Sequence, residues 1–120
     1  MNPFTTPERL FISRHPQDMR AGIQRLASIV VTDFGEDPQD GSLYCFVSRD
    51  CEKIKMLRFE VNGWCMYYLK LSKGCFRWQH RPDIADPKLL IDRVRLQLLL
   101  DGLDPSVYIL PSPVTANTIL

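Results

Sequence analysis

Positive side chains and aromatic rings interleave between Arg49 and Arg81, and that interleaving is the chemistry this 120-residue sequence most plainly offers. Eight basic residues (Arg49, Lys53, Lys55, Arg58, Lys70, Lys73, Arg77 and Arg81) stand against three acids, Asp50, Glu52 and Glu60. The window therefore carries a local charge of +5 in a chain whose total is +1. Tyr67, Tyr68, Phe76 and Trp78 lie among the cations. Ammonium and guanidinium groups neutralise phosphates, and exposed rings stack on bases. The candidate contact residues are Lys55, Lys70, Lys73, Arg77 and Trp78, with Arg20 upstream. The same residue types also concentrate at protein interfaces. A solvated rim of cations around buried rings is the plain structural alternative.

Other chemistries find little support. The cysteines, Cys45, Cys51, Cys65 and Cys75, have no C-x-x-C spacing, and His15 and His80 fall in no zinc pattern, so neither metal nor cofactor is expected. Reduced cysteines acting as small apolar side chains fit better. Most acids sit in turn or cap positions (Asp18, Asp37, Asp40, Asp86) instead of converging as a two-metal site needs. There is no nucleophile elbow, phosphate loop or paired Cys–His signature. The expectation is a chain that is not an enzyme. Its 45% hydrophobic and 24% charged residues are ordinary for a globular protein. No apolar run approaches the roughly 18 residues of a membrane span, and the opening Met1 to Arg9 lacks the apolar core of a secretory signal. A cytoplasmic location without membrane contact is expected.

The basic window needs a scaffold, and Asn62-Gly63 suggests one. This pair suits the two central positions of a type I′ hairpin turn. With them there, Val61 faces Trp64, Phe59 faces Met66, Leu57 faces Tyr68, and Lys55 faces Lys70. One side of the hairpin then carries Lys55, Leu57, Phe59, Val61, Trp64, Met66, Tyr68 and Lys70, and the other carries Ile54, Met56, Arg58, Glu60, Cys65, Tyr67, Leu69 and Leu71. Opposed lysines destabilise a ladder. Either both snorkel to solvent, or they flank an anion. Ser72-Lys73-Gly74 leads into Cys75 to Trp78 as a third strand.

Upstream, Leu10-Phe11-Ile12 reads as a short buried strand. Asp18 suits a helix N-cap. Met19, Ile23, Leu26, Ala27, Val30, Val31 and Phe34 then form an apolar stripe that ends at Gly35. Gly22 inside this helix suggests close approach of a neighbouring backbone, since glycine there costs about 1 kcal/mol. Leu43 to Val47 is a further strand. Downstream, Asp86-Pro87 has helix-start chemistry, Leu89 to Leu100 supplies an apolar face, and Gly102 suits the end. The expected fold is α+β: a short N-terminal strand, an amphipathic helix, a mostly antiparallel three- to four-stranded meander and a C-terminal helix. Residues 1–8 are expected as a lead-in, 9–104 as a single domain and 105–120 as a tail, in which Val107 to Leu110 has the apolar character to dock.

An ordered set of motifs resembles a known family. These are Asp18-Met19-Arg20-Ala21-Gly22 with Leu26, then Asp37-Pro38, Gly41 and Leu43-Tyr44-Cys45-Phe46. Ile54-Lys55-Met56-Leu57, Gly63 and Tyr68-Leu69-Lys70-Leu71 follow. Lys73-Gly74-Cys75-Phe76-Arg77-Trp78 and Leu99-Leu100-Asp101-Gly102-Leu103-Asp104 complete the set. Together they resemble the small accessory protein, often called TnpB, encoded by the second open reading frame of bacterial insertion sequences of family sixty-six. The chain departs from that pattern at Arg58-Phe59-Glu60, where an aromatic-Trp-Asp is usual. It departs again at Leu69-Lys70, where two basic residues are usual, and in a tail with no Lys or Arg after Arg95. The resemblance implies a part in transposition and DNA recombination beside a separate transposase, which is the expected partner; element DNA is the second candidate. Oligomeric state is not legible. The alternative function is a general nucleic-acid-binding or protein-interaction domain with no role in active transposition.

Overall fold

In a computed structural model, residues 9–105 are described. The expected lead-in at 1–8 lies outside them, as does the expected tail apart from Pro105, including Val107 to Leu110. Five strands and two helices follow in the order β1 (Leu10–Ser13), α1 (Ile23–Thr32), β2 (Leu43–Val47), β3 (Lys53–Glu60), β4 (Gly63–Lys70), β5 (Lys88–Ile91) and α2 (Arg93–Leu100). They form one sheet in the order β4-β3-β2-β1-β5. β1 and β2 run parallel, joined by α1, while every other neighbouring pair is antiparallel. The architecture is the expected α+β, with β2-β3-β4 as the meander.

Of the three inner strands, β1 and β2 are apolar apart from Ser13 because both of their faces are covered. Phe11, Tyr44, Phe46 and Leu57 point to one side, where Leu26, Ile29 and Val30 of α1 and the nearby Phe34 cover them. Phe11 stacks on Tyr44 with ring centroids 5.6 Å apart, and Phe34 on Phe46 at 5.8 Å. Leu10, Ile12, Cys45, Val47 and Ile54 point to the other side, against Leu96 and Leu99 of α2 and Phe76.

Three expectations are corrected. First, α1 begins at Ile23, not behind Asp18. The Asp18 carboxylate accepts from the Arg20 backbone N–H at 2.9 Å, an Asx turn that ends the extended segment before the helix. Gly22 is the N-cap, and a β-carbon there would meet nothing within 4 Å, so close backbone approach is not its reason. Second, Cys75 to Trp78 is not a strand. Its backbone follows the β2–β3 loop, with Phe76 N–H donating to Cys51 O, while the Phe76 side chain plugs the core. Third, Asp86-Pro87 opens β5 and not a helix. Leu89 and Ile91 pack inward while Leu90 is 59% exposed, a period of two. Asp92 is the true cap of α2, accepting from Arg95 N–H at 2.7 Å. The far end is as expected: Gly102 takes φ 81°, and Gly102 and Leu103 donate back to Leu99 and Leu98 in a Schellman closure.

Candidate functional site

The hairpin that positions the basic residues turns one residue earlier than Asn62-Gly63 suggests. Glu60 pairs with Gly63, so Val61 and Asn62 are the central residues, and Val61 takes φ 47°. A β-branched residue rarely tolerates that conformation. The return is in the ladder: Phe59 meets Trp64 edge to face at 5.0 Å, and Lys55 comes opposite Tyr68 in place of Lys70. Pairing has slipped by two residues relative to the expected register. A slip of two returns every side chain to the same face, so the expected division of the hairpin into two faces holds. Lys70 is now opposite Lys53 and diagonal to Lys55.

On the α1 face, Lys55, Tyr68 and Lys70 are neighbours on the sheet and Arg20 lies in the loop that Lys55 reaches, but most of the charge is already engaged. The Lys55 ammonium donates to Met19 O at 2.7 Å and Ala21 O at 2.9 Å, and lies 5.5 Å from the centre of the Tyr68 ring. It braces the loop that delivers the chain into α1. The Arg20 guanidinium grips Asp18 through Nε and Nη2, which with the Arg20 backbone N–H holds that carboxyl down at about 2. Lys53 turns to Asp50 at 3.2 Å, which relieves its opposition to Lys70. Lys70 has no ion pair among the described residues. Beside it Tyr68 is 54% exposed, and Lys73 is exposed in the turn after β4.

Arg77 and Trp78 are not on that face. They line a cleft of about 830 Å³ on the α2 side, with Phe76, Arg81, Leu89, Ile91, Arg95 and Leu99 among its other walls. Trp78 packs against the α2-side core, and its indole N–H is buried with no acceptor among the described residues. The basic and aromatic set expected on one surface is thus divided by the sheet. Arg81 and Arg95 join Arg77 at the cleft. Arg81 was within sight, four residues beyond Arg77, whereas Arg95 arrives only because α2 lies beneath β5.

The cleft also holds Cys51, whose Sγ lies 4.0 Å from His80 Nδ1 and 3.4 Å from Trp78 O. Burial pushes the thiol pKa up and the imidazole pKa down, which favours the neutral form of both groups. That is opposite to the polarisation of an activated thiolate–imidazolium pair. Among the described residues no group of three or more His, Cys, Asp or Glu is gathered as a metal site, and no helix is long and apolar enough to cross a membrane.

The profile of the IS66 Orf2-like proteins matches residues 8–108. The chain belongs to the IS66 Orf2-like family. Within that insertion-sequence family, the chain is similar to the uncharacterized protein y4hO of Sinorhizobium fredii (strain NBRC 101917 / NGR234), 30% identical over 80% of this chain and 81% of that one. It is also similar to the uncharacterized protein y4jC of the same strain, 25% identical over 80% of each chain. No solved structure matches this IS66 Orf2-like chain. Membership makes it an accessory protein of insertion sequences.

Proposed function

We propose that this chain is a non-catalytic, cytoplasmic accessory subunit of IS66-type transposition, an adaptor that seats a segment of the element's transposase in the α2-side cleft. The observation that carries this reading is the lining: Phe76 and Trp78 give an apolar floor, and Arg77 and Arg95, with Arg81 already paired to Asp83, give a basic rim interrupted by Asp50 and Asp104. Trp and Arg in a desolvated pocket are the commonest interface hot spots. The matching ligand is a peptide with an apolar anchor, a carbonyl for the Trp78 indole N–H and a carboxylate for the rim. Co-purification with the transposase tests it. Arg77→Ala with Arg95→Ala should weaken the complex at least about tenfold, since charge-assisted contacts are worth about 1.5–3 kcal/mol each. Absence of any complex at micromolar concentrations refutes the adaptor role.

Direct contact with element DNA is a second reading, favoured by Lys70, which has no ion pair among the described residues, beside the exposed ring of Tyr68. It predicts salt-sensitive binding to a terminal inverted-repeat duplex, weakened by Lys70→Ala and Lys73→Ala. Binding that is absent at low salt, or indifferent to salt, removes it.

A further inference from the structure

β4 is an outer strand eight residues long, and among the described residues no strand pairs with its outer edge. Leu71 N–H donates to Glu52 O at 3.0 Å, in step with the β3–β4 register. In an antiparallel ladder the bonded residues alternate. Cys65, Tyr67 and Leu69 therefore spend their main-chain groups on β3, while those of Trp64, Met66, Tyr68 and Lys70 point outward. None of these outward groups has a main-chain partner among the described residues. Edges are normally guarded by charges, proline or a bulge, yet Gly63 to Leu69 contains neither a charge nor a proline. The opposite edge, β5, is only four residues long and follows directly on Pro87.

We propose that β4 pairs antiparallel with β4 of a second copy of this chain, about a two-fold axis at Tyr67, to make one continuous ten-stranded sheet. The strand is complementary to itself in this register. Trp64 lies opposite Lys70 of the second copy and Met66 opposite Tyr68, so every outward residue of both strands is bonded, with about eight main-chain hydrogen bonds in all. A slip of two residues in either direction strands one outward residue on each copy. Charge favours the same arrangement. Lys70 is the one charged residue of β4, and antiparallel pairing sends the two ammoniums to opposite ends, each across from a Trp64 ring. Parallel pairing would oppose them directly. Met66 against Tyr68 is a favourable sulfur–ring pairing. A seam of this length falls short of the about 1,600 Å² of a standard interface, so association belongs in the micromolar range.

Sedimentation of the full chain from about 1 to 200 µM should show a reversible monomer–dimer equilibrium. Tyr68→Pro deletes an outward N–H without touching a β3–β4 bond, and should weaken dimerisation at least about tenfold while circular dichroism confirms the fold. Tyr67→Cys gives a readout that survives if the proline variant does not fold. At the axis, position 67 faces itself as a non-bonded pair with α-carbons about 4.5 Å apart, within the span of a disulfide. Mild oxidation should then yield a dimer whose peptide map joins position 67 to position 67. A chain that stays monomeric throughout overturns the proposal. So does a dimer indifferent to Tyr68→Pro in a folded variant, or crosslinks only through other cysteines. A monomer whose β4 edge is taken by the transposase overturns it as well.

Discussion

Lys55→Met separates a brace from a contact residue. Methionine keeps most of the aliphatic stem and removes the ammonium. The two carbonyls it serves, Met19 O and Ala21 O, then lose their partner just before the Gly22 cap of α1. Hydrogen bonds from a charged donor contribute about 1.5–3 kcal/mol each. The site is half-buried, so water can reach the vacated carbonyls and the total falls to about 2–3 kcal/mol. At about 4–8 °C per kcal/mol for a domain near 100 residues, Tm should drop by about 10–20 °C. Lys70→Met, which removes no bond among the described residues, should stay within about 0.5 kcal/mol of the parent. Urea unfolding followed by tryptophan fluorescence, with a thermal melt, measures both. If Lys55→Met keeps full stability yet abolishes binding to DNA or to the transposase, the ammonium is a contact group and the bracing argument is wrong.

Val61→Gly should stabilise the chain by about 0.5–1 kcal/mol, because relief of a left-handed valine (about 1–2 kcal/mol) exceeds the added entropy of unfolded glycine; a lower Tm would refute the strain. Phe76→Ala should cost about 3–5 kcal/mol in urea unfolding, as expected for emptying a side chain only 1% exposed, and a loss below 1 kcal/mol would mean the loop does not anchor the core. Asp50 is held at about 2, first by the Ser48 hydroxyl, then by Glu52 N–H and Lys53. Its folded pKa lies below the unfolded value of about 3.9, so its contribution is intact above pH 4 and is lost as pH falls toward 2. The urea midpoint of Asp50→Asn should therefore depend less on pH between about 5 and 2 than that of the parent.

Periodicity carried the reading wherever neighbours in sequence are neighbours in space. The α1 stripe of Leu26, Val30 and Phe34 and the Gly102 stop follow from local pattern and appear in place. The hairpin faces survived a wrong register because the error was an even number of residues. Turn chemistry favoured Asn62-Gly63, but the Phe59–Trp64 ring pair and the Lys55–Tyr68 contact are cross-strand terms that turn propensity does not contain. β5 was hidden for a related reason. Asp86-Pro87 followed by Leu89-Leu90-Ile91 satisfies a helix start locally, and only β1, far back in the chain, makes it a strand. The candidate site was legible as charge, not as occupancy. Spacing gave the cations, but nothing local places two loop carbonyls above Lys55 or puts Arg77 and Trp78 on the opposite side of the sheet from Lys70.

The position of β1 bears on how this protein is made. Leu10 to Ser13 is translated well before Lys88 to Ile91, which completes one flank of it. At about 5–20 residues per second, the ribosome needs roughly 4–16 s to supply that neighbour. During synthesis the nascent chain must carry this buried strand with one side open, and a product released before Lys88 would keep that side open permanently. Premature termination in this gene should thus yield insoluble or rapidly degraded fragments, never a smaller working subunit.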